Sequence, residues 1–201
     1  MTALLDRDRW VFHQKTKVIE LNTEFEILDE DGNQIGMVRQ EGQSQLKKVA
    51  RLVSSLDQFM THTLAVYDAD GTKVVELTRP RKVFKSSVLV KDAAGLDVGK
   101  IVQQNMVGKI RFALEDRNGA ALGSLNGENW RAWNFSIRDV SGQEVARITK
   151  TWEGLLRTAF TTADHYLLEV TGPVDTAMRP VVLAAAAGVD LALKQDARGL
   201  N

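Results

Sequence analysis

Apolar and polar positions alternate along five stretches of this chain, and each stretch breaks at a turn of the same composition. The five are Phe25-Glu-Ile-Leu-Asp29-Glu-Asp-Gly32, Leu64-Ala-Val-Tyr-Asp68-Ala-Asp-Gly71, Val88-Leu-Val-Lys-Asp92-Ala-Ala-Gly95, Phe112-Ala-Leu-Glu-Asp116-Arg-Asn-Gly119 and Phe135-Ser-Ile-Arg-Asp139-Val-Ser-Gly142. Each has Asp three positions ahead of Gly and an apolar residue (Ile35, Val74, Val98, Leu122 or Val145) three positions after it. Asp accepts local backbone hydrogen bonds and Gly supplies the positive φ of a tight turn, so the pattern predicts five β-hairpins. From Gly71 the repeat recurs after 24, 24 and 23 residues. Five hairpins supply about ten strands, and a sheet of that size curls or splits to protect its edges, which predicts a barrel or a sandwich.

Two segments depart from the repeat. Gly32 and Gly71 stand 39 residues apart, and the surplus reads as a short amphipathic helix near residues 43–57. Leu46, Val49, Ala50, Val53 and Leu56 share one face of it, while Lys47, Lys48 and Arg51 share the other. Such a helix packs its apolar stripe on a barrel wall or lies on an anionic membrane surface. The second departure is a predicted helix over 176–194, apolar around nearly its whole circumference, with Val181, Leu183, Ala185, Ala186, Val189 and Leu191 in its body. Asp175 or Thr176 would cap it, with Pro180 in or near its first turn. A bilayer span takes about 20 apolar residues, whereas a shorter Ala-rich helix suits the lumen of a closed sheet. That favours the barrel over the sandwich.

Composition narrows the function classes. Nothing in the 201 residues resembles a linker, so residues 1–201 read as a single domain. The formal net charge is zero, which removes the bulk electrostatic case for nucleic acid, and any anionic partner must meet a local patch. With no Cys, the chain can form neither disulfides nor thiolate metal sites. The N-terminus lacks the order of a signal peptide, and no run of about 18 apolar residues is present, so the expected location is cytoplasmic, with peripheral attachment to the inner membrane face as a variant.

The run Val145-Ala-Arg-Ile-Thr-Lys150-Thr-Trp152-Glu-Gly154-Leu-Leu-Arg157-Thr-Ala159-Phe160-Thr-Thr-Ala-Asp164, followed by a Pro-Val-Asp175 segment and the apolar helix, resembles the C-terminal part of the phospholipid scramblase family. Arg79-Pro80-Arg81 and Val98-Gly99-Lys100-Ile-Val102-Gln103 fit the same pattern, and the likeness covers roughly Thr23 to Leu193. The family is related to the LURP-one-related proteins and the tubby C-terminal domain. The resemblance implies a closed antiparallel barrel of about twelve strands around a hydrophobic C-terminal helix. It also implies a function in binding phospholipid or moving it across a membrane.

Departures from the family pattern change the expected chemistry. Calcium-responsive scramblases carry several Asp residues between the Phe-Thr-x-Ala-Asp stretch and the helix; here that segment offers only Asp164, Glu169 and Asp175. Calcium takes six to eight oxygens, so these three make a weak candidate site and a calcium trigger is not expected. The same segment reads instead as a late strand, with Tyr166, Leu168 and Val170 on one face. The family's cysteine cluster after Arg-Pro-x-Arg is replaced by Lys82-Val-Phe-Lys85, and no Pro-rich extension precedes the barrel sequence.

That replacement makes Arg79, Arg81, Lys82 and Lys85 candidates for holding anionic headgroups, with Lys47, Lys48 and Arg51 as auxiliaries. The competing reading is a solvated connection whose lysines guard a strand edge. His13, His62 and His165 lack metal-ligand spacing and read as surface or strand residues. Trp130, Trp133 and Trp152 read as barrel packing, with the first two also suited to a lipid interface. No catalytic constellation is present, so no enzyme activity and no cofactor are expected. Anionic phospholipid and another protein are the candidate partners, nucleic acid is not, and the alternative function is a soluble tubby-like binding or scaffold module without membrane activity.

Overall fold

The computed structural model describes residues 3–14, 23–41, 62–80, 87–105, 110–129, 134–149 and 165–198. They form twelve strands and one helix: β1 Arg9–Gln14, β2 Thr23–Leu28, β3 Gln34–Glu41, β4 His62–Asp68, β5 Lys73–Arg79, β6 Ser87–Asp92, β7 Asp97–Gln103, β8 Arg111–Asp116, β9 Ala121–Asn129, β10 Asn134–Asp139, β11 Glu144–Thr149, β12 His165–Val170 and α1 Met178–Arg198. Every strand pairs antiparallel with its sequence neighbours, and β1 pairs with β12 to close the barrel. Closure removes the unpaired edges that an open sheet of this size would expose. The expected twelve-strand barrel around a C-terminal helix is the fold observed.

The five Asp-Gly turns are the β2–β3, β4–β5, β6–β7, β8–β9 and β10–β11 hairpins. In the last, the Asp139 carboxylate accepts the Ser141 and Gln143 N–H groups, both at 2.9 Å, while Gly142 N–H donates to the Asp139 carbonyl at 3.1 Å. Gly142 sits at φ 86°, in the left-handed region where a side chain is disfavoured. The register of β10 on β11 shifts by one residue beside the turn, which is the bulge such a hairpin creates. All five hairpin turns therefore lie at one end of the barrel, the turn end, and the remaining six strand connections lie at the other, the loop end.

Period-two alternation points one row of each strand into the lumen. Val75 and Leu77 of β5, Val88 and Val90 of β6, Phe135 and Ile137 of β10, and Tyr166 and Leu168 of β12 are buried there. α1 fills the space between them. From Val181 to Ala187 every helical residue is buried, including Val181, Leu183, Ala185 and Ala186. Small side chains are a geometric requirement here: a Cβ on Gly99 of β7 would stand 2.7 Å from Val181, and one on Gly188 would stand 3.1 Å from Leu77. The helix enters at the turn end, where the Asp175 carboxylate accepts the Met178 N–H at 2.7 Å, so Asp175 rather than Thr176 is its cap. It runs on to Arg198, four residues beyond the expected end. The side chains of Val189 and Leu191 lie outside the described residues, as does the expected helix near 43–57.

The N-terminal turn closes the lumen at the end where the helix enters. Leu4 is buried in the core, and the Trp10 indole N–H donates to the Leu4 carbonyl at 3.0 Å. Arg179, in the first turn of α1, donates to the carbonyls of Leu5 and Arg7 and to the Asp8 carboxylate at 3.1, 2.9 and 3.0 Å. One side chain thus fastens the helix start to the chain that leads into β1.

Candidate functional site

The predicted cations belong to two loop-end connections. β3 ends at Glu41 and β4 begins at His62, so residues 42–61, with Lys47, Lys48 and Arg51, leave and rejoin the barrel there. β5 ends at Arg79 and β6 begins at Ser87, so residues 80–86, with Arg81, Lys82 and Lys85, do the same. Glu41 is opposite Thr63 and His62 is opposite Arg79, which makes the four anchor points consecutive around one rim. At about 4.8 Å per strand they fall within an arc of about 15 Å. The fold thus joins two basic segments that the sequence separates. Residues 42–61 and 81–86 themselves lie outside the described residues.

Arg79 requires a correction. The sequence reading placed it with the surface cations, but it is only 5% exposed. β5 extends through Arg79, so it falls in phase with Val75 and Leu77 and occupies the loop-end position of the inward row. Gln103 ends the inward row of β7 in the same way and is also buried. The lumen is therefore polar where these two strands meet the loop end. Period-two alternation carried from Val75 and Leu77 through Thr78 puts Arg79 on the inward face, which is the signal in the sequence for its burial.

Two of the three weak calcium candidates have other partners. Glu169 accepts a hydrogen bond from Arg9 at 2.7 Å, and Arg9 also reaches Glu30 at 2.9 Å. Glu30 and Glu169 together hold the Arg9 proton more firmly than in a free guanidinium. Asp175 caps α1, and Asp164 lies outside the described residues. No group of three or more acidic or histidine side chains among the described residues is arranged to hold a metal ion.

Two residues read as scattered in sequence are neighbours in the barrel. His13 of β1 faces His165 of β12 in register, with ring centroids 4.5 Å apart, and His13 Nδ1 lies 3.5 Å from a Glu26 carboxylate oxygen. Only the β1–β12 pairing that closes the barrel brings them together, and no local pattern announces it. Trp130, Trp133 and Trp152 also belong to loop-end connections outside the described residues. A wide depression of about 720 Å³ opens instead at the turn end, between Asp8, Leu122, Val140, Pro173 and Asp175. Its carboxylates, with Arg179 already committed to Asp8, make it a poor host for a phosphate.

No helix among the described residues is long and apolar enough to cross a membrane, a statement that does not bear on strands. The chain is 25% identical over 141 residues to human (Homo sapiens) phospholipid scramblase 2, covering 64% of this chain and 48% of that protein. It is 23% identical to human phospholipid scramblase 1, covering 64% and 44%. The chain thus spans about half the length of the curated relatives it matches. A crystal structure of an Arabidopsis thaliana protein aligns over 90% of this chain and 91% of its own at 16% identity and a TM-score of 0.49, a likeness that adds nothing to the directly observed barrel. The family model described as Scramblase matches residues 1–193, which takes in the whole barrel and most of the helix inside it, and on that match the chain belongs to the scramblase family.

Proposed function

We propose that this protein binds anionic phospholipid headgroups at a membrane surface through the loop end of its barrel. The observation that carries the reading is the meeting of the 42–61 and 80–86 connections at consecutive strand ends of one rim. Between them they hold Lys47, Lys48, Arg51, Arg81, Lys82 and Lys85 against a single carboxylate, Asp57. Each basic residue near an anionic surface contributes about 1 kcal/mol, so a cluster of this size gives stable but salt-sensitive attachment. The two human relatives are named phospholipid scramblases, and headgroup capture is a step that any transbilayer movement of lipid includes. The process makes and breaks no covalent bond. Family membership therefore asks for no catalytic residue.

Calcium has no triggering role in this reading, because Glu169 is held by Arg9 and Asp175 by the helix start. Millimolar calcium is therefore expected to leave both vesicle binding and the melting temperature unchanged, and a calcium-dependent rise in either would contradict this reading.

Co-sedimentation with vesicles of phosphatidylcholine, alone or mixed with phosphatidylserine, tests the proposal. The protein is expected to pellet with the anionic vesicles at low salt and to be released as the screening length contracts from about 10 Å at 0.1 M toward about 3 Å at 1 M salt. Failure to pellet with anionic vesicles at low salt would leave the soluble binding or scaffold module as the better reading.

A further inference from the structure

The zero net charge conceals a separation of charge along the barrel axis. At the turn end every hairpin opens on an Asp, namely Asp29, Asp68, Asp92, Asp116 and Asp139, and the first also carries Glu30 and Asp31. Asp8 and Asp175 border the helix entrance at the same end. Of the six connections at the loop end, five carry a net positive charge in sequence, and the sixth, residues 150–164, balances Lys150 and Arg157 against Glu153 and Asp164. Besides the two segments already described, residues 15–22 hold Lys15 and Lys17 against Glu20, and residues 104–110 and 130–133 contribute Lys109 and Arg131 with no acid. Several cations of the barrel wall between the ends are already matched. Arg147, for example, lies between Glu144 at 2.6 Å and Glu128 at 2.9 Å.

We infer that the protein docks end-on, with the loop end against an anionic bilayer and the turn end pointing away from it. This rests on the headgroup-binding reading above and adds its geometry. A strand of seven residues is about 23 Å long, so the two ends stand apart by more than the screening length of about 10 Å at 0.1 M salt. With the loop end down, the bilayer attracts the basic rim while the acidic rim lies outside its field. Lying on its side, the barrel brings both rims within that field, and repulsion at the acidic rim cancels much of the attraction at the other. The inverted orientation presents like charge to like. Charge complementarity therefore selects one pose, and the partner it selects is an anionic lipid surface.

The chain contains no cysteine, so single-cysteine variants label at one site only. Gln104→Cys at the loop end and Ala94→Cys in the β6–β7 turn sit at exposed positions, while Ala113→Cys is half-exposed midway along β8. Each labelled variant is titrated with phosphatidylserine-containing vesicles that carry a lipid-borne quencher, and binding is followed separately by sedimentation. The inference expects quenching strongest at position 104, weaker at 113 and absent at 94. Binding with equal quenching at all three, or strongest at 113 or 94, would overturn the end-on pose while leaving headgroup binding intact. Absence of sedimentation at low salt would overturn both.

Discussion

The Tyr166 hydroxyl of β12 donates a hydrogen bond at 3.0 Å to the carbonyl oxygen of Ala186, inside the barrel. In a regular helix that carbonyl already accepts the N–H four residues on, and the tyrosine uses its second lone pair. The ring beneath the hydroxyl stacks on Phe12 of β1 with centroids 4.7 Å apart and meets the edge of Phe25 of β2 at 5.6 Å. One residue thus ties the central helix to the three strands at the seam where the barrel closes.

Tyr166→Phe removes the hydroxyl and keeps the stack. The variant is expected to lose about 0.5–1.5 kcal/mol of stability, the ordinary worth of one buried hydrogen bond. Urea unfolding checks this through a lower midpoint at an unchanged slope. An unchanged midpoint would mean that the helix is not held through this contact.

Ala186→Leu tests whether the lumen is full. Ala186 is completely buried, and elsewhere along the helix a single Cβ at Gly99 would come within 2.7 Å of Val181. Added side-chain volume forces strain or backbone movement and costs about 1–3 kcal/mol. A variant that keeps the parental melting temperature would contradict a packed lumen around the helix.

Two of the turn aspartates, Asp116 and Asp139, make the protein sensitive to acid. The Ala120 N–H holds the Asp116 carboxyl below its usual range, with the Asn118 donors adding to the effect. The Ser141 side chain does the same for Asp139, helped by the Gln143 and Ser141 N–H groups. A carboxylate whose folded value is depressed stabilises the fold above its unfolded value of about 3.9 and loses that contribution as pH falls through the folded value. Melting temperature should therefore drop as pH falls below about 4, and the double variant Asp116→Asn/Asp139→Asn should show a shallower drop. Identical pH profiles for parent and variant would assign the acid sensitivity to other groups.

The hairpins were legible because their information is local: Asp and Gly three residues apart fix a turn whatever surrounds it, and alternation fixes which face is buried. α1 was legible because an all-apolar surface has to be enclosed. What depended on closure was hidden. β1 has no tight hairpin of its own, since it pairs with β12 at the far end of the chain and with β2 across the 15–22 connection. The same pairing creates the His13–His165 contact. Arg79 was misplaced because a basic cluster in sequence reads as surface, whereas strand phase turns its first member inward. The opposition of acidic and basic ends was concealed by a net charge that sums over both.

Vesicle partitioning of Arg81→Gln/Lys82→Gln/Lys85→Gln beside the parent is the most direct test of the central claim. Arg79 stays intact because it is buried and its loss would confound folding with binding. Three cations at about 1 kcal/mol each predict a loss of affinity for phosphatidylserine vesicles on the order of 100-fold at low salt, with an unchanged melting temperature and a weaker dependence of binding on salt. Parental affinity and parental salt dependence in the triple variant would contradict headgroup capture by the β5–β6 connection.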